Sequence, residues 1–191
     1  MTLAVARRTS SGRIELSADL RVTHGLGLES GYPIAVLKTI LLREDLMVSF
    51  AGDVTAALSA LRTVAEGDGE FERTQVTLQD ACVKSEYQGR DLEFILAARD
   101  RKLSKISGDD LQENLSAAWI GDKAAYEIYQ RAYHGAQVVE PIHVPGISPE
   151  PPPQIAAEDY ETSVRMSHGI FALTIEDSVE SVGEAFITAT S

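Results

Sequence analysis

The sequence predicts an α+β domain in which antiparallel sheets carry helices on their outer faces. Three observations lead there. The elements run strands, two helices, strands, one helix, strands, which is not the regular strand–helix alternation of a doubly wound fold. The strand-like runs are short and separated by polar or glycine-containing turn clusters, as hairpins require. With 191 residues, 44 % of them hydrophobic and 24 % charged, the chain can build one substantial core but not two comfortable ones. Residues 1–191 are therefore expected to form a single domain.

Leu3 to Arg8 reads as a first strand, and Thr9-Ser10-Ser11-Gly12 as the turn into a second, Arg13 to Ala18, which alternates apolar and polar residues. Asp19 to Gly25 follows, and glycines at 25, 27 and 31 punctuate a loop. Ala35 to Leu42 is apolar enough for a buried strand, Arg43-Glu44-Asp45 makes a polar turn, and Leu46 to Ala51 is the next strand. Asp53 is a natural N-cap for a helix carrying Ala57, Leu58, Leu61 and Val64 at helical spacing and stopping near Gly67. Thr77 is expected to cap a second helix running to about Tyr87, with Gly89 closing it. Strands are expected over Asp91 to Ala98, Lys102 to Ile106 and Ser116 to Ile120. A third helix then runs from Gly121-Asp122 to about Tyr133, with Tyr126, Ile128, Tyr129 and Tyr133 as its packing residues.

Six of the seven prolines fall between Pro141 and Pro153. Proline lacks the N–H that a helix interior or a central strand needs, so residues 141–153 are expected to form an extended surface loop. A short helix over Ile155 to Met166 and strands over Gly169 to Ile175 and Ala185 to Ala189 would complete the chain.

Composition excludes several classes of function. The formal net charge of −12 argues against nucleic-acid binding, which needs clustered Lys and Arg on phosphates. The one cysteine, Cys82, rules out a disulfide framework or a cysteine-built zinc site within the chain, and it reads as a small buried residue of a helix. The four histidines show no short metal-ligand spacing, so no metal and no cofactor is expected. No apolar run approaches the roughly 18 residues of a membrane span, and the N-terminus lacks a charged-then-apolar signal pattern. The expected location is the cytoplasm.

Two segments carry a family resemblance. Ser17 to Gly25 (SADLRVTHG) resembles the “ADxRxTxG” stretch of proteasome β-subunits and HslV-type peptidases. Lys38 to Gly52 (KTILLREDLMVSFAG) resembles that family's lysine, strand, polar turn and strand ending in “FAG”, with Lys38 fourteen positions before Gly52. A helix follows directly, and Thr2 follows the initiator Met1. The resemblance implies the N-terminal-nucleophile (Ntn) hydrolase fold, a four-layer αββα sandwich of two antiparallel sheets flanked by helices.

The resemblance also implies a chemistry. A hydroxyl is a weak nucleophile until a base takes its proton, and in this superfamily the chain's own α-amine is that base. With a reference pKa of about 7.7–8.0, a free α-amine is substantially neutral near neutral pH. Removal of Met1 would make Thr2 the terminal nucleophile. Lys38 would lie beneath it and tune nearby groups, Asp19 would hold Lys38 and the terminus, and the Gly52 N–H would form the oxyanion hole. Arg21 and Thr23 would support the site or line the substrate strand. Each residue also has a plain structural reading: Thr2 as a strand residue, Asp19 as a strand end, Lys38 as an edge lysine reaching solvent, Gly52 as a turn before a helix.

The pattern departs from the family in two places. Active β-subunits carry Gly-Ser-Gly before the third helix, and this chain has Gly121-Asp122-Lys123. An aspartate there would accept a hydrogen bond from an ammonium but would raise the amine's pKa and weaken it as a base. For the family's downstream Asp and Ser, the candidates are Asp159 and Ser163. The expected function is a threonine peptidase or amidase, and the alternative is a catalytically inactive structural or binding homologue. The chain starts directly at its first strand, which favours the β-like over the α-like reading. The partners implied are further copies of the chain in a homo-oligomer, peptide substrates and an ATP-dependent unfoldase, with no nucleic acid and no membrane. Tyrosines on the third helix are the candidate interface residues.

Overall fold

The computed structural model describes residues 2–9, 12–22, 34–35, 37–100, 102–137 and 186–190. Two antiparallel sheets form its centre. The first has the order β10-β1-β2-β11, from Leu3–Arg8 (β1), Ile14–Asp19 (β2), Ala117–Gly121 (β10) and Phe186–Thr190 (β11). The second has the order β5-β6-β7-β8-β9, from Thr39–Arg43 (β5), Leu46–Gly52 (β6), Leu92–Ala98 (β7), Leu103–Ser107 (β8) and Asp110–Gln112 (β9). A two-residue pair, Arg21–Val22 (β3) with Ile34–Ala35 (β4), stands apart from both.

Alternation along the strands sorts the side chains into layers. From the first sheet Ala4, Ala6, Ile14, Leu16, Ala18, Ala118 and Ile120 meet Met47, Ala51, Ile95, Ala97 and Leu103 of the second, and this is the core between the sheets. Leu46, Val48, Phe50, Phe94 and Leu96 point the other way. They pack under Val54–Glu66 (α1) and Phe71–Tyr87 (α2), through Ala57, Leu61 and Val64 of α1 and Leu78 and Cys82 of α2. On the far side of the first sheet, Trp119 alternates with Ala118 and Ile120 and stacks on Tyr126 of Lys123–Gln137 (α3), ring centroids 4.4 Å apart. Helices, sheet, sheet and helix form the four-layer αββα sandwich expected from the sequence.

Most elements lie within two residues of their expected bounds. Asp53 caps α1 as expected, accepting the Ala56 N–H at 3.0 Å. Four expectations need correction. Helix α2 begins at Phe71 and not at Thr77, because residues 71–77 already place Thr74 and Gln75 against the core, and the Thr77 hydroxyl bonds back to Arg73 C=O at 2.9 Å. The apolar run 35–42 is not one strand: β4 ends at Ala35 and β5 starts at Thr39. Lys38 stands between them, and an ammonium in an apolar layer must find a partner. β9 went unpredicted, because its edge sequence Asp110-Leu111-Gln112 has no apolar run. Finally, Tyr129 is buried and so is not displayed for an interface, while Tyr126 packs on Trp119 as expected. The Pro-rich stretch 141–153, the helix expected over 155–166 and the strand expected over 169–175 lie outside the described residues.

Candidate active site

The site is built around a buried ion pair. Lys38 is 2 % exposed and Asp19 0 %. The Lys38 ammonium donates to both carboxylate oxygens of Asp19 at 3.1 Å. Burial pushes the Lys38 pKa down from its ordinary value, and the Asp19 charge and hydrogen bond oppose that shift. The Lys38 backbone is fixed too, since its carbonyl accepts the Phe50 N–H at 3.1 Å and the Ser49 hydroxyl at 2.9 Å. The Ser49 hydroxyl in turn lies 3.0 Å from that of Thr39. The plain reading of Lys38 as a solvent-reaching edge lysine is thus ruled out.

Asp19 also reaches the first strand. Its Oδ1 accepts the Leu3 N–H at 3.0 Å. Successive residues of a strand direct their backbone groups to opposite sides. Leu3 therefore faces β2, and Thr2 faces β10, where its carbonyl accepts the Asp122 N–H at 2.6 Å. The Thr2 nitrogen lies on that β10 side by the same alternation. The Thr2 side chain shares the face of Ala4 and Ala6, which looks toward the second sheet, and the residue is 6 % exposed. Among the described residues, no hydrogen bond to the Thr2 hydroxyl is found.

Gly121 lets this approach happen. Its φ is +96°, and a methyl group there would overlap the Thr2 carbonyl oxygen and touch the Ala51 side chain. The same glycine thus brings together the chain start, the end of β10 and the end of β6. Gly52 has φ +100°, and a methyl group there would overlap the Asp91 carbonyl oxygen. This turn, with Asp53 N–H donating to Asp91 C=O at 2.8 Å, carries β6 into α1 and sets the Gly52 backbone beside the residue that meets Gly121.

Asp122 has a role that the sequence did not reveal. Its Oδ1 accepts the N–H groups of Ala124 at 2.8 Å and Ala125 at 3.1 Å, so its carboxylate caps α3. Arg21 lies in β3, while Thr23, Asp159 and Ser163 lie outside the described residues. Sequence reasoning missed Glu93, whose Oε2 accepts the Gly121 N–H at 2.8 Å. The available signal was a charged residue in the otherwise apolar run Leu92–Ala98. Cys82 belongs to the α2 core and not to the site, with its thiol pushed up to about 12 by burial.

No protein-family model matches the chain, and no curated protein does. Solved structures do match. Eukaryotic HslV from Trypanosoma brucei superposes with a TM-score of 0.63 at 14 % identity, over 98 % of each chain. Anbu from Hyphomicrobium sp. strain MC1 gives 0.64 at 14 % identity, over 99 % of this chain and 81 % of that one. BPH from Thiobacillus denitrificans, solved in complex with epoxomicin, gives 0.61 at 18 % identity, over 100 % and 98 %. This chain has the Ntn-hydrolase fold. HslV is a proteasome-like peptidase and Anbu an ancestral proteasome β-subunit, so the likeness expected from Ser17–Gly25 and Lys38–Gly52 holds at the level of fold. Within the Ntn-hydrolase fold, the start of β1, the end of β6 and the β10–α3 turn converge at one end of the two sheets.

Proposed function

We propose that this chain is an N-terminal threonine hydrolase of peptide or amide bonds, with Thr2 as nucleophile once Met1 is removed. The observation that carries the reading is the buried Lys38–Asp19 pair, which is tied through Asp19 Oδ1 to the amide next to Thr2. An ion pair so dry is costly to bury and weak as a source of stability. A cation held beside a nucleophile gives it a use.

In the proposed reaction the free α-amine of Thr2 takes the hydroxyl proton, and Oγ1 attacks the substrate carbonyl carbon. The Lys38 charge favours the neutral form of the amine and stabilises the developing alkoxide. The Gly52 N–H receives the oxyanion, a contact worth roughly 3 kcal/mol in the transition state. The C–N bond then breaks, the leaving amine takes the proton held by the α-amine, and water hydrolyses the resulting ester on Thr2. Peptides are the proposed substrates, by likeness to HslV and Anbu. The proposal includes assembly into a homo-oligomer, delivery of substrates by an ATP-dependent unfoldase, and action in the cytoplasm. No described helix is long and apolar enough to cross a membrane.

A second reading, an inactive structural homologue, is favoured by one observation. The carboxylate of Asp122 caps α3 where the resembling family has a serine supporting the amine. Hydrolysis of a panel of fluorogenic peptides by the Met1-processed protein separates the two. The first reading predicts turnover that Thr2→Ala abolishes. Turnover that survives in Thr2→Ala contradicts it, and absence of turnover across the panel favours the second.

A further inference from the structure

We propose that Glu93 is a positioning residue, holding the β10–α3 turn against Thr2 from the opposite sheet. The inference rests on the reading of Thr2 as the reacting residue. Glu93 lies in β7, paired with Ala51 and next to the Leu92–Gly52 pair. It is therefore on the second sheet at the site end. Among the described residues, β10 is an edge strand joined to β1 alone. Because the Asp122 N–H points to β1 and donates to Thr2, the preceding N–H, that of Gly121, points to the open edge. An edge N–H left without an acceptor in a partly buried place is costly. Glu93 Oε2 crosses between the sheets and accepts it at 2.8 Å.

A second contact holds the same turn. Glu93 Oε1 is 3.6 Å from Lys105 Nζ, which stands 4.8 Å from the centroid of the Trp119 ring. Trp119 is stacked on Tyr126 in the first turn of α3. Glu93 and Lys105 thus grip both arms of the turn: the backbone at Gly121 directly, and the start of α3 through two aromatic rings. Gly121 has no side chain and a backbone that touches the Thr2 carbonyl, so any slack in the turn is passed to Thr2. A carboxylate acceptor suits this task, because a charge-assisted bond to an amide is shorter and stronger than a neutral one.

The test uses the full chain with Glu93→Ala, Glu93→Gln and Lys105→Met, and Leu111→Ala as a stability control remote from the turn. Two readouts are taken: amide hydrogen exchange at Gly121 and Asp122, and the rate at which Thr2 is acylated by a threonine-directed electrophile. In Glu93→Ala, exchange at both amides rises about tenfold relative to amides of β5 and β6, and acylation slows by a similar factor. Glu93→Gln, whose amide oxygen still accepts the N–H, restores most of both, and Lys105→Met shows a smaller loss. Leu111→Ala lowers stability without this local pattern. Unchanged exchange at Gly121 and Asp122 in Glu93→Ala overturns the proposal, and so does an unchanged acylation rate in a reactive protein. A wild type that is never acylated refutes the nucleophile reading instead, and the exchange data and glutamine rescue then decide whether Glu93 holds the turn.

Discussion

Toward β2, the pair Lys38 and Asp19, tied to the Leu3 amide next to Thr2, is 2 % and 0 % exposed, whereas toward β10 the pair Glu93 and Lys105 is 24 % and 18 % exposed. In the proposed reaction the dry side acts through charge. Few water molecules compete with the Lys38–Asp19 interaction, so its field reaches the neighbouring strand little screened. In the same proposal the wetter side acts through shape. There the decisive groups are backbone: the Gly121 and Asp122 amides and the Thr2 carbonyl, aligned by a glycine, a helix cap and a carboxylate from the other sheet. A charge error on the first side and a backbone error on the second should therefore fail differently.

The largest expected effect comes from splitting the dry pair. Lys38→Met leaves Asp19 buried without its cation, and Asp19→Leu does the converse. Each should cost about 3–5 kcal/mol in denaturant unfolding and abolish acylation of Thr2. The double variant Lys38→Met/Asp19→Leu should regain most of the stability and none of the activity. A double variant that remains as unstable as either single one would show that the pair is structural first.

Next comes Gly121→Ala. Its methyl group must displace the Thr2 carbonyl at a φ that L-residues seldom adopt, for a cost of about 1–3 kcal/mol by thermal or chemical unfolding. Acylation should fall much more than stability does, because the displaced atom belongs to the reacting residue. A rate loss no greater than that of an equally destabilised variant elsewhere would break the claim that this side works through shape.

The two helix caps sharpen the comparison at smaller scale. Asp122→Ala and Asp53→Ala should each lose about 1 kcal/mol of stability. Both should slow acylation, Asp122→Ala through the β10–α3 turn and Asp53→Ala through its chain neighbour Gly52. The Asp53 carboxyl is held below the usual carboxylate range chiefly by the Ala56 N–H, with Arg90 contributing. Its share of stability is thus fully present above the unfolded value of about 3.9 and is lost as pH falls through the lower folded pKa.

The smallest effect is a slope with pH. Because burial lowers the Lys38 pKa, the folded chain binds fewer protons than the unfolded one between that lowered value and the unfolded value of about 10.4. The stability of the wild type relative to the double variant Lys38→Met/Asp19→Leu should rise across this window. It should be flat below it, down to where carboxylates titrate. A relative stability that falls across the window would contradict the assigned direction.

Much of the fold was legible because alternation and capping are local signals. The β1–β2 hairpin, β6, β7 and the Asp53 cap can each be read within a few residues. The start of α2 was not, because Glu70 caps it without a side-chain hydrogen bond and the first turns announce themselves only through tertiary burial of Thr74 and Gln75. At the site, Lys38 stood out as a cation in an apolar run, and Asp19 through the motif around it. Glu93 carried the same signal, a charge inside an apolar strand, but its partner is the backbone of Gly121. A backbone N–H has no residue type, so no sequence pattern reveals it. The capping role of Asp122 was hidden for a related reason: one aspartate before a helix serves equally as cap or as amine partner until the helix start is known.

The measurement that bears most directly on the account is the intact mass of the purified protein before and after exposure to a threonine-directed electrophile, with Thr2→Ala alongside. The account predicts loss of Met1 and a single adduct that Thr2→Ala lacks. Cys82 should contribute none, because it is buried and its thiol is pushed up to about 12. A chain that keeps Met1, or a processed chain that takes no adduct, would contradict the assignment of Thr2 as the nucleophile.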